Sequence, residues 1–176
     1  MIPNPTVTYT STDTTGSLSF TPVTDAYGTA TITVIVEDGG LDSNLETPED
    51  NATTSQTFTV TVTPVNDTPT LDLLSDRVLP EDSQTQMIDI TGMTAGGGET
   101  QPLQVTVTSS NPSLISTPTI TSETVSVEGS RSLAFVPLPD QYGITTITVT
   151  VEDGGLDLDL NTAEDNAIFS RTFDVT

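Results

Sequence analysis

The feature that most constrains the fold is an alternation of apolar residues with threonine. Ile32 and Val34 alternate with threonines, and the same pattern recurs in segments 57–62, 103–108 and 146–151. A period of two places apolar side chains on one face of a β-strand and hydroxyls on the other. Threonine suits the outer face because it is both β-branched and polar. No segment carries a useful 3.6-residue period, so the sequence predicts an all-β protein.

The chain contains an internal repeat. Residues 17–61 align without gaps on residues 132–176 at a constant offset of 115, and 29 of the 45 aligned positions are identical. Further upstream, residues 5–8 resemble residues 118–121, with two residues of slippage. A unit of about 115 residues is a normal size for a β-sandwich.

The repeat predicts two domains of unequal content. Residues 64–69 carry a proline at each end, and we interpret them as a stiff connector because proline fixes φ and cannot pair within a sheet. Residues 70–176 hold enough strands for a complete sandwich, whereas residues 1–63 hold only the later ones. The predicted strands are 6–10, 18–20, 29–37, 56–63, 71–74, 87–90, 103–108, 120–127, 132–135, 145–152 and 169–175.

The first domain therefore lacks its opening half. Such a half sandwich would expose the apolar face that carries Phe20, Ile32 and Phe58, together with an edge that invites pairing. Either the chain is cut from a longer array of repeats, or another subunit supplies the missing strands and builds a fibre head to tail. The sequence leaves both explanations open.

Composition excludes several classes of function. The chain has 25 acidic side chains, three basic ones and a formal charge of −22, and it contains no Lys, His, Cys or Trp. Lysine chemistry, Ser-His and Cys-His nucleophile pairs, ordinary zinc sites and disulfides are therefore excluded. So negative a surface repels phosphate, which argues against nucleic acids and anionic lipid as partners. No apolar run approaches the length of a membrane span.

Nearly half of the acids fall in two long loops, one in each copy of the repeat. Segments 37–51 and 152–166 hold six acids each and no base. Packing carboxylates together is unfavourable unless a cation neutralises them, and a set of hard oxygen ligands suits calcium better than magnesium. The predicted calcium ligands are Asp38, Asp42, Asn44, Glu49 and Asp50 in the first loop and Asp153, Asp157, Asp159, Glu164 and Asp165 in the second.

A solvated acidic loop that keeps the protein soluble is the alternative interpretation of each segment. The recurrence of the acids at the same spacing in two copies favours calcium. The connector offers a second candidate site, in which Asn66 and Asp67 are joined by Glu81 and Asp82.

Three short motifs occur in order along the chain. They are Val-Glu-Asp-Gly-Gly at 36–40 and 151–155, Val-Asn-Asp-Thr-Pro at 65–69 and Leu-Pro-Glu-Asp at 79–82. Together they resemble the tandem cadherin-like, immunoglobulin-like repeats of large bacterial surface proteins.

The resemblance implies a Greek-key immunoglobulin-like β-sandwich, repeated in tandem in a long extracellular protein, with calcium near the domain junctions. By that analogy Asn66, Asp67 and Glu81 would be junction ligands. The connector has one Asn-Asp pair rather than the longer acidic run of animal cadherins, which puts a junction with three calcium ions in doubt.

These observations favour a non-enzymatic structural or adhesive module on a bacterial cell surface, stiffened by calcium. Its partners would be adjacent repeats or identical neighbouring subunits, with no nucleic acid and no membrane insertion; a glycan or cell-surface ligand stays open. The alternative is a filament subunit whose half domain a neighbouring chain completes. A carbohydrate-binding module is a minor alternative because the chain has no Trp, and an enzyme is less expected because the acids lie in repeated loops.

Overall fold

The computed structural model describes residues 1–120 and 129–176, which form β-strands and irregular segments without a helix. The strands are β1 (Thr6–Thr8), β2 (Ser17–Ser19), β3 (Gly28–Glu37), β4 (Thr53–Val62), β5 (Gln86–Met93), β6 (Leu103–Ser109), β7 (Thr119–Ile120), β8 (Gly129–Phe135), β9 (Thr145–Asp153) and β10 (Ile168–Val175). The predicted all-β class is confirmed over this part of the chain. Within the same residues there is no helix that could cross a membrane.

The chain forms two compact units, Met1–Pro64 and Val65–Thr176. The division between them falls inside the predicted connector at 64–69. Every pairing between the named strands is antiparallel in both units.

The second unit contains two three-stranded sheets, in the orders β10-β9-β6 and β5-β8-β7. Their inner faces supply one core, in which the rings of Phe135 and Phe173 lie 6.3 Å apart between centroids. Along β9, Ile147 and Val151 are fully buried while the threonines between the apolar residues are partly exposed, as a period of two requires. The other buried core side chains are Leu71, Ile88, Ile90, Met93, Ala95, Leu103, Leu114, Ile115, Leu133, Val149 and Val175.

The first unit contains two two-stranded sheets, β1-β2 and β3-β4. Its hairpin β3-β4 copies β9-β10 in register, since Ile32 lies opposite Phe58 as Ile147 lies opposite Phe173. Likewise β1-β2 copies β7-β8. In this unit, all of whose residues are described, no strand corresponds to β5 or β6.

Two predicted strands are not among the observed ones over their full length. The strand predicted at 71–74 is wrong: the segment makes only an isolated bridge at Thr70 and one further backbone hydrogen bond, from Asp72 N to Thr91 O at 3.0 Å. Leu71 still enters the core, but Leu73 is 79% exposed, so the apolar residues here do not define one strand face. The strand predicted at 120–127 lies beyond residue 120 outside the described residues.

Candidate functional site

The acidic loop of the second unit joins β9 to β10 and is held in shape by its own side chains. Asp165 Oδ2 accepts a hydrogen bond from Leu156 N at 2.7 Å. Asp157 accepts one from Asp159 N at 2.9 Å and another from the Thr162 hydroxyl. These carboxylates pair backbone N–H groups that an irregular loop would otherwise leave without a partner.

The loop of the first unit repeats this arrangement. Asp50 Oδ2 accepts from Leu41 N at 2.7 Å, and Asp42 accepts from Asn44 N at 3.0 Å and from the Thr47 hydroxyl at 2.6 Å. The repeated acid spacing therefore has a structural role in folding each turn. Two further predicted ligands, Glu49 and Glu164, are exposed on the two loops.

Hydrogen bonds also hold two of the predicted ligands in the ionised form. The hydrogen bond from Ala52 N, followed by that from Gly40 N, lowers the pKa of Asp38. The hydrogen bonds from the backbone and side chain of Asn161 lower the pKa of Asp159. In both cases the donors stabilise the charged carboxylate, so it is ionised and paired with N–H donors at neutral pH.

Asp153 differs from the loop carboxylates because it is completely buried. Its Oδ1 accepts three hydrogen bonds, from Ala167 N at 2.9 Å, Gly155 N at 3.0 Å and Asn66 Nδ2 at 3.1 Å. Its Oδ2 is buried without a hydrogen-bond partner. Leaving a buried polar oxygen without a hydrogen-bond partner costs about 1–3 kcal/mol.

A hydrogen-bonded network of side chains surrounds Asp153. Asn66 Nδ2 also donates to the carbonyl oxygen of Asp165 at 2.9 Å, and Gln101 Nε2 donates to Asn66 Oδ1 at 2.7 Å. Glu99 Oε2 accepts from Gln101 Nε2 at 3.0 Å and from Asp67 N at 3.2 Å. Gln101 is 3% exposed, and its Oε1 is a second buried oxygen without a partner.

The structure brings some of the predicted ligands together and separates others. Four belong to the network around Asp153: Asn66, Asp67, Asp153 and Asp165. Glu81 instead lines a small cavity beside Val175, at the end of β10, whereas Asp153 lies near the beginning of that strand, where Ile168 pairs with Glu152. The neighbouring Asp82 accepts a hydrogen bond from Asp140 N at 3.1 Å. Glu81 and Asp82 therefore do not join Asn66 within this unit.

Glu99 and Gln101 belong to the network but were not predicted from the sequence. They follow the glycines at 96–98 and immediately precede β6, in which Leu103 pairs with Asp153. The glycine run marks a turn in the sequence. Only the register of β6 against β9, however, shows that this turn ends beside Asp153.

The corresponding acid of the first unit has a different environment. Asp38 is exposed, and its Oδ1 accepts hydrogen bonds from Gly40 N and Ala52 N, the counterparts of Gly155 and Ala167. That unit contains no counterpart of Asn66 or Gln101. Over residues 1–120 and 129–176, no group of three or more acidic side chains is placed to hold a metal ion, so a cation at Asp153 would also need amide, backbone or water oxygens.

Comparisons with known proteins give structural resemblances only. No protein-family model and no curated protein matches the chain. Domains 4 and 5 of the S-layer protein SbsC are 18% identical to it, with a TM-score of 0.41, over 90% of this chain and 62% of that one. The S-layer protein rSbsC(31-844) is 18% identical, with a TM-score of 0.40, over 90% of this chain and 18% of that one.

A third structure, SbsC domains 1–6, is 15% identical, with a TM-score of 0.36, and the match covers 93% of this chain and 24% of that one. The match thus spans less than two thirds of each of these S-layer structures. At these identities and TM-scores the likeness is too weak to assign a function to this chain.

Proposed function

We propose that this chain is a non-enzymatic structural module of an extracellular bacterial surface protein, and that its complete repeat binds one calcium ion at Asp153. The observation that carries the proposal is the fully buried Asp153 carboxylate, whose Oδ2 has no hydrogen-bond partner. The unpartnered Oε1 of Gln101 lies in the same network. Calcium accepts six to eight carboxylate, amide, carbonyl and water oxygens in flexible geometry, which suits such a mixed set.

The position of the network gives the ion a mechanical role. It joins the connector at Asn66, the segment before β6 at Gln101 and the loop after β9 at Asp153. These three segments are far apart in sequence, so a common ion would hold them together more tightly than the hydrogen bonds alone. The connector would then be fixed against the sandwich of the second unit, as a stiff spacer requires.

A structural role also agrees with the chemistry that the chain offers. It has no His, Cys or Lys to act as base or nucleophile. Several carboxylates of its acidic loops accept hydrogen bonds from loop backbone N–H groups, which gives them a role in folding the loop.

The proposal is tested by titrating calcium chloride into the EDTA-treated chain in a calorimeter and by measuring thermal unfolding with and without calcium. The matched variants are Asp153→Asn and Asp38→Asn, which change repeat-related positions, one buried and one exposed. We expect one binding site per chain and stabilisation of about 2.7 kcal/mol at a calcium concentration 100 times Kd.

Both effects should persist in Asp38→Asn and disappear in Asp153→Asn. The absence of calcium binding to the unmodified chain, or equal binding by Asp153→Asn, would contradict the calcium site. Folding of Asp153→Asn is checked independently by its unfolding transition in EDTA, which shows whether the variant is folded before calcium is added.

A further inference from the structure

Strand β3 of the first unit has an open edge where its counterpart in the second unit is covered. β9 lies between β10 and β6, whereas β3 pairs only with β4. The same holds in the other sheet, where β8 lies between β5 and β7 but its counterpart β2 pairs only with β1. The first unit thus has two open edges, at the positions that β6 and β5 occupy in the second.

The open edges leave repeat-related apolar side chains exposed. Val151 on β9 is 0% exposed, whereas Val36 on β3 is 58% exposed. Ile32 is the one apolar side chain of the fully described first unit that is buried, and it retains 9% exposure. The surface that the second unit covers with β5 and β6 is therefore apolar and uncovered in the first.

The correspondence between the two units begins at Met1. Val23 N donates to Met1 O at 2.6 Å, and Leu138 N donates to Leu114 O at 2.8 Å. Val7 also pairs with Leu18 as Ile120 pairs with Leu133. Met1 is thus the counterpart of Leu114, and the segment without a counterpart in the first unit is residues 65–113.

Most of the edge of β3 lacks the features that usually block strand addition, and its one charged residue is Glu37 at the end of the strand. From Gly28 to Val36 it contains no proline and no charged residue, and its register with β4 is continuous without a bulge. Natural edge strands are commonly protected by such devices. Their absence agrees with an edge that is normally paired.

We infer that the open edges of β2 and β3 bind the opening half of another repeat of this type, a segment with the pattern of residues 65–113. The second unit shows how such a segment fits: Val105 and Val107 of β6 lie opposite Val151 and Val149 of β9 and pack against the core. A strand of the same pattern would pair with β3 and cover Val36. A strand of the β5 pattern would pair with β2.

A second copy of residues 1–176 offers no free segment of this kind, because its β5 and β6 already pair with β8 and β9 of its own second unit. Supplying the segment from such a copy would require that second unit to open. The binding segment therefore comes from a different repeat, and this inference is independent of the calcium site.

The test is a chain extended by a second copy of residues 65–113, placed directly before Met1 so that the first unit has the same order of segments as the second. Hydrogen exchange of β3 is measured by mass spectrometry in the extended and the original chain. We expect exchange in β3 to slow by about tenfold or more, because amides at the open edge gain sheet hydrogen bonds. Exchange in β9 should not change.

Two matched variants of the added segment test how it binds. Val105→Lys with Val107→Lys, made only in the added copy, places charges on the inward face and should abolish the protection of β3. Thr106→Lys with Thr108→Lys adds the same charge on the exposed face, so the protection of β3 from exchange should be preserved. Because the original 176 residues are unchanged in both, their own folding is not affected by the substitutions.

Two results would overturn the inference. One is unchanged β3 exchange in the extended chain. The other is concentration-dependent self-association of the original chain that protects β3, since the occupant would then be a second copy. Neither readout involves calcium, so failure here is distinguishable from failure of the proposed function.

Discussion

Phe58 and Phe173 occupy the same place in the two copies of the repeat, opposite Ile32 and Ile147, yet Phe58 is 42% exposed and Phe173 is 2% exposed. The two hairpins share their register and much of their sequence. The two hairpins differ in their surroundings. Only in the second unit does a further strand, β6, pair with the hairpin at β9, and only there does β5 extend the other sheet at β8.

We expect Phe173→Ala to destabilise the second unit by about 3–5 kcal/mol, as large-to-small changes of buried aromatic residues do. Phe58→Ala should cost the first unit clearly less, about 1–2 kcal/mol, because much of its ring is already in water. Denaturant unfolding followed by residue-resolved NMR measures the two units separately. Equal losses in the two variants would contradict the difference in burial.

The variant Gly155→Ala tests the close approach of Asp165 to the backbone of the acidic loop. Its φ is +57°, and a Cβ there would lie 2.5 Å from the carboxylate carbon of Asp165. Gly155→Ala should therefore cost roughly 2–4 kcal/mol, from the left-handed backbone and the overlap together.

Gly98→Ala is the control for the backbone contribution in that experiment. Gly98 has a φ of +76°, but a Cβ there would meet nothing within 4 Å. We expect a cost of about 1–2 kcal/mol, from the backbone alone. If the two variants unfold at the same denaturant concentration, the close approach of Asp165 to Gly155 adds nothing measurable to the cost of Gly155→Ala.

Asn66 tests the network around Asp153. Asn66→Ala removes the hydrogen bonds to Asp153 Oδ1 and to the Asp165 carbonyl, so we expect a loss of about 1–3 kcal/mol in the second unit. Asn161→Ala removes a donor to the exposed Asp159 and should change stability by less than about 0.5 kcal/mol. Thermal unfolding in EDTA compares them, and a smaller loss in Asn66→Ala than in Asn161→Ala would contradict this network.

The loop of the first unit should respond to acid in a defined direction. The pKa of Asp38 is lowered below its ordinary value of 3.8 by the hydrogen bonds from Ala52 N and Gly40 N. The stabilisation they provide is therefore fully present above the ordinary pKa and is lost as the pH falls through the lowered one.

NMR titration of the Gly40 and Ala52 amide protons follows this loss. We expect a common midpoint below 3.8, which should be absent in Asp38→Asn because that side chain does not titrate. A midpoint at or above 3.8 would show that the hydrogen bonds do not stabilise the charged form of Asp38.

The sequence predicted most of the strands because alternation with threonine is a local signal. It failed at 71–74. A period of two would place Leu71 and Leu73 on the same face, yet Leu71 enters the core and Leu73 is exposed to solvent. A period of two assigns faces only where a partner strand holds the segment flat. Here the pairing reduces to an isolated bridge at Thr70, which no local pattern reveals.

The site was predictable only in part for a similar reason. Charge counting found Asp153 but could not distinguish it from Asp38, its counterpart at the same position of the repeat. The difference arises from Asn66 and Gln101, which tertiary structure brings to the buried carboxylate. Repeated sequence therefore predicted repeated loops, while burial depended on strands that only one unit contains.

The repeat-related strands β3 and β9 differ in their edges, because β3 is open at one edge whereas β9 is paired at both. Hydrogen exchange of the unmodified chain, read residue by residue along Ile32–Val36 and along the repeat-related Ile147–Val151, tests this difference most directly. We expect alternate amides of the first segment to exchange at nearly unprotected rates, because alternate N–H groups face an open edge, while those in β9 are protected at both edges. Equal protection of the two segments would contradict this difference.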